Sequence, residues 1–369
     1  MTRITGRKAR LTDVAAAAGV SKATASNVFN RPELVREELR ERVLAAARAI
    51  GYAGPDPKGR LLSAGRVNAI GVATGEPLSH FFEDPYARAM MKGIAEICDA
   101  NGVGVSLISA TEDEALWNIR SALVDGLILF CLEGADRLIA SSRARNLPFV
   151  ALDLGDTDDT VPAVGVDDVA GARLAARHLA VLGHRHFAVL AMEFSEDGRS
   201  GPANPERVRT AAYAPSRDRV IGYLDALADA GLGGAVPIHE TTADPASITD
   251  ALAALFARPE PPTAILAQSD RIAMIALDWL AARGIAVPRD ISIVGFDGVP
   301  EGALTQPPLT TVRQPIAEIG RRAVEIILDT TGGFRRETLA TDLVIRGSTA
   351  PPPARKSVSA TSALPPAGA

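Results

Sequence analysis

From residue 69 onward the chain alternates between short, continuous apolar runs and longer amphipathic stretches. The runs AIGVAT (69–74), VGVSLI (103–108), GLILFC (126–131), FVAL (149–152), FAVLAM (187–192), AILA (264–267) and ISIVGF (291–296) have the length of strands and no polar alternation. Between them, apolar residues recur at helical spacing over 84–101, 169–182, 219–230 and 272–283. Strands that are apolar on both faces and separated by helices predict a parallel sheet covered on both sides. The number of such units favours two doubly wound sheets over one.

The first 66 residues read differently. The stretch 11–30, LTDVAAAAGVSKATASNVFN, predicts two short helices joined at Gly19. Thr12 and Asp13 are helix-starting residues, Gly19 suits a left-handed exit from the first helix, and Ser21 suits the N-cap of the second. Val14, Ala18, Val20 and Val28 supply a small apolar set between the helices, and Ala15 is small where they must cross. Lys22, Ala23, Ser26 and Asn27 then point away from that core. This is the layout of a helix-turn-helix, whose second helix is sized for the DNA major groove. A third helix is predicted over 36–50, with Leu39, Val43, Ala47 and Ile50 at helical spacing and Gly51 ending it. Pro55 and Pro57 break the chain, and KGRLLSAGR (58–66) is a short basic linker.

At 369 residues and 47% hydrophobic, the chain is long enough for two or three domains with real cores. A net charge of −5 argues against nucleic acid until its distribution is considered. Residues 1–66 carry 13 Lys and Arg against 6 Asp and Glu, whereas the remainder carries 26 against 38. A basic head on an acidic body suits a protein that docks one end on phosphates. Cys98 and Cys131 are isolated among apolar residues, as expected of core thiols in a reducing compartment. No apolar run has the length of a membrane span, and no apolar signal segment follows the basic N-terminus. The expected location is the cytoplasm.

The run from Asp13 to Asn30 has every fixed letter of D-V-A-x-x-A-G-V-S-x-x-T-x-S-x-V-x-N. In this it resembles the lac-repressor-type (LacI/GalR) bacterial transcription regulators, except that Ala25 stands where a larger aliphatic is more usual. HLAVLGHRHFAVL, RVIGYLDALADAGL, PTAILAQSD, GIAVPRDISIVGFD and PLTTVRQP resemble the same family's effector domain, so the likeness covers roughly 11–350. The implied fold is α/β: a three-helix headpiece (1–56), a hinge (57–66) and a two-lobed, periplasmic-binding-protein-like body of doubly wound parallel sheets (67–349). A disordered Pro, Ala and Ser tail is expected over 350–369, and the second crossing between lobes near 300–312.

The resemblance implies a DNA-binding repressor that meets a palindromic operator as a homodimer and answers to a small-molecule effector such as a sugar. Lys22, Ala23 and Asn27 would read bases. Ser21, Thr24, Ser26, Asn30 and Arg10, with Arg7 and Lys8, would mainly hold phosphates. In the hinge, Leu62 would wedge into the minor groove beside Ser63, with Leu61 the competing candidate. The tail has five prolines and a single leucine, Leu364, and cannot form a tetramerising heptad helix. The dimer contact must then come from the body, with 84–101 and 246–257 the helices singled out.

Effector candidates sit at strand ends and first helical turns, where ligands bind in open α/β sheets. Asp297 follows the ISIVGF strand, Asp153 follows FVAL, and Arg219 opens the helix after a long loop. A carboxylate accepting two hydroxyl hydrogens and a guanidinium donating a fork suit a polyhydroxylated ligand. The alternatives are a loop cap for Asp297 and a surface pair with Asp218 or Asp225 for Arg219. Asp270 is the expected N-cap of the next helix, with Ser269 reaching the ligand. Phe81 and Phe82 are candidates for stacking on the ligand, with core packing the alternative. Residues 193–216 form an unusually long connection, either a surface loop or a lid. There is no dinucleotide fingerprint, phosphate loop, catalytic constellation, metal site or cofactor motif. An exported sugar-binding protein of the same fold is the other function class; the basic first 66 residues argue against it.

Overall fold

The computed structural model describes residues 9–54, 66–110, 115–130, 135–154, 160–329, 333 and 335–353. The chain divides into two units between Val67 and Asn68. Of the predicted hinge only Arg66 falls among the described residues; Leu61, Leu62 and Ser63 lie outside them, as do Arg7, Lys8 and Cys131.

In the first unit, helices α1 (Leu11–Ala18), α2 (Lys22–Asn30) and α3 (Glu37–Ala49) enclose Val14, Ala15, Ala18, Ala25, Val28, Val43 and Ala47. Leu39 is half-buried and Ile50 exposed, so α3 contributes a narrower stripe than its spacing predicts. Helix α1 begins before the expected starters. Arg10 is its N-cap residue, and Asp13, one turn in, accepts the Arg10 backbone N–H at 2.8 Å. Gly19 leaves α1 at φ 65°, a left-handed conformation that glycine adopts without strain. Phe29 meets Tyr52 edge-on at 5.5 Å and anchors the chain after α3.

The second unit has two lobes. The first holds β1 (Ala69–Thr74), β2 (Gly104–Ser109), β3 (Gly126–Phe130), β4 (Phe149–Leu152) and β5 (Ala163–Val166). Between them lie α4 (His80–Glu83), α5 (Pro85–Ala100), α6 (Ala115–Ser121) and α7 (Ala135–Ala144). The second lobe runs through α8 (Asp168–Val181), β6 (Phe187–Ala191), β7 (Gly201–Pro202), α9 (Pro205–Arg209), α10 (Ala214–Asp229) and β8 (Ile238–Glu240). It continues with α11 (Pro245–Phe256), β9 (Ala264–Ala267), α12 (Asp270–Ala282), β10 (Ser292–Asp297) and β11 (Thr310–Arg313). The chain then returns to the first lobe with α13 (Ile316–Leu328) and β12 (Arg336–Leu339), and ends in the second with β13 (Asp342–Val344).

The first sheet has the order β12-β5-β4-β3-β1-β2 and is parallel throughout. The second, β13-β11-β10-β9-β6-β8-β7, is parallel except at its two edge strands. Each sheet has apolar clusters on both faces, as doubly wound layers require. Glycines set two of the helix contacts. A Cβ on Gly93 of α5 would stand 1.9 Å from the Ala317 carbonyl oxygen of α13, and one on Gly222 of α10 2.4 Å from that of Val169 in α8. Among the described residues, no helix is long and apolar enough to cross a membrane.

Four expectations shift. The second crossing falls at 313–316, not 300–312, because Thr310–Arg313 first adds a strand to the second sheet. Helix α10 starts at Ala214, so Arg219 lies inside it rather than at its opening. Residues 193–216 hold β7 and α9, tied down by Arg207, and so are not a plain surface loop. The body also extends past residue 349. The Ala350 carbonyl accepts from His184 and its N–H is held by Ser292, while buried Ser348 receives the Thr310 N–H at 2.8 Å.

Candidate functional site

The DNA-facing candidates occupy one exposed region of the first unit. Ser21 is the N-cap of α2, its Oγ accepting the Thr24 N–H at 3.0 Å and lying 2.8 Å from Thr24 Oγ1. Lys22, Ala23 and Asn27 are exposed, whereas Ala25 and Val28 on the opposite face are buried. Asn30 donates to Ser26 Oγ at 3.1 Å. Asn27 is thus exposed away from the buried Ala25 and Val28, while Asn30 is engaged with Ser26. Arg10 is exposed at the start of α1.

In the second unit, a cleft of about 520 Å³ opens between the lobes. The first lobe contributes Glu76, His80, Tyr86, Phe130 and Asp153, and the second contributes Glu193, Tyr213, Ser216, Arg219, Ser269 and Asp297, among others. Tyr86 stacks on Phe130 at 6.2 Å and donates its hydroxyl to Asp153 Oδ2 at 2.7 Å. Asp153 Oδ1 is buried without a partner. Arg219, almost fully buried, donates to Asp168 Oδ1 at 2.7 Å and to the Gln268 carbonyl at 2.6 Å. It lies 3.5 Å from Asp297 Oδ1, with its guanidinium over the Phe296 ring.

Asp297 ends β10 with φ 124°, a backbone conformation that non-glycine residues rarely adopt and that costs on the order of 1–3 kcal/mol. Its surroundings fix it there. Gln314, on the second crossing, donates both its backbone N–H to the Asp297 carbonyl and its amide to Asp297 Oδ1; Oδ2 accepts the Asp270 N–H. Burial pushes the Asp168 and Asp297 carboxyls up, and the Arg219 charge opposes this in both.

The structure brings Asp153, Arg219, Ser269 and Asp297 to one cleft, as the sequence suggested, but reassigns their neighbours. Ser269, not Asp270, is the N-cap of α12, its Oγ accepting the Ile272 N–H. Asp270 instead accepts the Gly298 and Val299 N–H groups and the Thr311 hydroxyl. Phe81 is buried against Phe130 in the first lobe's core, and Phe82 is exposed; neither lines the cleft. Tyr86 and Phe130 supply the aromatic surface in their place. Sequence reasoning missed Tyr86, Asp168 and Gln314.

Desolvation raises the Asp153 carboxyl to about 6; the Asp168 charge adds to this, and the Tyr86 hydroxyl and Arg219 oppose it. A carboxyl raised in the folded state weakens the fold when charged. The penalty is fully present above about pH 6 and is relieved as pH falls toward the unfolded value near 4. Ligand-free Asp153→Asn is therefore expected to melt above the parent at neutral pH, with the gap closing between about pH 6 and pH 4. A pH-independent gap would show that the charge is not its cause.

Comparison with known proteins agrees with this arrangement. Residues 10–54 match the family profile described as bacterial regulatory proteins, lacI family, and residues 176–349 match a periplasmic binding protein-like domain. An HTH-type transcriptional regulator of Mycobacterium tuberculosis is 38% identical over 358 residues, covering 94% of this chain and 98% of the relative. The chain belongs to the lacI family of bacterial regulatory proteins. The solved lac repressor dimer, bound to operator and an anti-inducer, is 25% identical with a TM-score of 0.75, covering 93% of this chain and all of that one. A complex of the transcriptional regulator CelR with cellobiose is 26% identical with a TM-score of 0.66, covering 92% and 100%. This lacI-family protein is accordingly a transcriptional regulator with a helix-turn-helix DNA-binding domain and an effector domain. Its relatives are regulators rather than enzymes, and they do not favour a sugar-binding protein without DNA function.

Proposed function

We propose that the protein is a cytoplasmic, homodimeric repressor controlled by an uncharged polyhydroxylated effector in the interlobe cleft. One observation carries the effector class: each cleft arginine already faces a carboxylate, in a lining that holds further acidic side chains. Arg219 is held by Asp168 and Asp297, Arg217 by Asp218, and Arg271 lies 3.7 Å from Asp84. A phosphate or carboxylate would have to compete for these cations beside Glu76, Glu193 and Asp153. A neutral polyhydroxylated ligand, by contrast, adds no negative charge to this acidic lining and can donate its hydroxyl hydrogens to it. Ser269 uses one lone pair on the α12 cap and keeps its proton for a ligand oxygen. Tyr86 and Phe130 offer a flat apolar wall to the C–H face of a sugar ring.

On DNA, two headpieces on a palindrome supply the base contacts that one short helix lacks. Leu62 and Ser63 would add minor-groove contacts between the half-sites. The apolar exposure of the first lobe includes Val105 of edge strand β2, Trp117 of α6 and nearby Leu123, a face suited to a second copy. The test is to select sites from random DNA with the full chain, then measure thermal shifts with cellobiose, ribose, ribose 5-phosphate and glucose 6-phosphate. A palindromic site bound by a dimer, with stabilisation by a neutral sugar alone, is the expected result. Stabilisation by the phosphorylated sugars alone would overturn the effector class.

A further inference from the structure

We infer that Arg207 is a positioning residue for the effector cleft, fixing one wall through a chain of hydrogen bonds that begins at buried Glu240. The inference rests on the effector reading above and adds to it the part played by residues 193–216.

The guanidinium of Arg207 is shared by two carboxylates. Its Nε and Nη2 donate to Glu240 Oε2 and Oε1 at 2.9 and 2.7 Å, and its Nη1 and Nη2 donate to Asp197 Oδ2 and Oδ1 at 2.9 and 2.8 Å. Such paired forks fix direction as well as charge, which a lysine ammonium does not. Glu240, on β8, is only 1% exposed, and Arg207 is its ion-pair partner.

The chain of bonds continues to the cleft. Glu240 Oε1 also accepts the Phe194 N–H at 2.8 Å. The Phe194 carbonyl in turn accepts the Ala212 N–H at 2.7 Å and the Tyr213 N–H at 3.1 Å. Ala212 and Tyr213 line the cleft, and Tyr213 is the N-cap residue of α10, the helix that carries Ser216 and Arg219 into the site. Phe194 is wholly buried in the second lobe's core, so the carbonyl is fixed from behind. Arg207 therefore acts on where α10 starts without itself lining the cleft. Binding sites tolerate only about half an ångström of play in such supports.

The test uses the full chain with Arg207→Gln and Arg207→Lys, and the double variant Arg207→Met/Glu240→Leu in case an unpaired Glu240 prevents folding. Amide hydrogen exchange is read at Ala212 and Tyr213, with Val43 in the headpiece and Leu179 in α8 as references. Arg207→Gln, or the double variant, is expected to speed exchange at Ala212 and Tyr213 at least tenfold while the references stay protected. Arg207→Lys should recover part of that protection. Affinity for cellobiose or ribose should fall at least tenfold, with operator affinity unchanged. Retained protection at Ala212 and Tyr213, or an equal loss at Leu179, overturns the inference. If the parent protein binds neither sugar, the effector class is what fails, and the exchange data alone decide the role of Arg207.

Discussion

Arg219→Ala is expected to destabilise the two-lobed unit by about 3–5 kcal/mol, the range found when one partner of a buried ion pair is removed. The sequence alone predicts a milder outcome, a protein that folds normally and simply ignores its effector. The structure changes that expectation. Arg219 is the cation between Asp168 and Asp297, and it also satisfies the Gln268 carbonyl beneath the cleft. Alanine leaves two buried carboxylates facing one another with less compensation, and an unpaired carbonyl beside them. A loss on the order of 6–20 °C in the melting transition of this unit is expected, while the headpiece transition stays in place. Asp297→Asn keeps the volume and removes one of the two charges, and is the better probe of effector response. A melting temperature unchanged in Arg219→Ala would mean that the guanidinium does not neutralise the cluster.

The elements legible in the sequence were those with uniform burial. AIGVAT, FVAL and AILA match β1, β4 and β9 residue for residue, because strands covered on both faces have to be apolar throughout. β8 and β11 left no such trace. Their buried residues include His239, Glu240, Thr310 and Thr311, polar groups whose partners come from distant parts of the chain. The site was legible in the same partial way. Asp153 and Asp297 stand where strand ends meet the cleft, a position that spacing reveals. Asp168 is 51 residues from the arginine it holds, and no local pattern reports that pairing. A signal was available nonetheless: Asp168 and Gln314 both lie where the chain changes lobe, and from there they hold Arg219 and Asp297 without lining the cleft themselves. The Phe81–Phe82 pair failed for a different reason. Adjacent aromatics give no phase, and α4 turned one into the core and left the other in solvent.

Asn27→Ala is expected to weaken binding to the selected site by about 1–3 kcal/mol, roughly 5- to 150-fold, at fixed salt. Asn27 is exposed on α2, away from the buried Ala25 and Val28. The other amide there, Asn30, is engaged with Ser26. An asparagine amide can donate to adenine N7 and accept from its N6 amino group, a pairing no other base offers in the major groove. Its loss should therefore relax preference at a single base pair per half-site and leave affinity for scrambled DNA unchanged. Lys22→Ala separates two contributions. If Lys22 reads guanine, the change relaxes another position; if it meets phosphate, binding falls on all sequences and the salt dependence becomes shallower. Competition binding with single-base variants of the site, repeated at two salt concentrations, distinguishes these outcomes. Equal affinities of Asn27→Ala and parent for specific and scrambled DNA would remove Asn27 from the recognition surface, and with it the assigned face of α2.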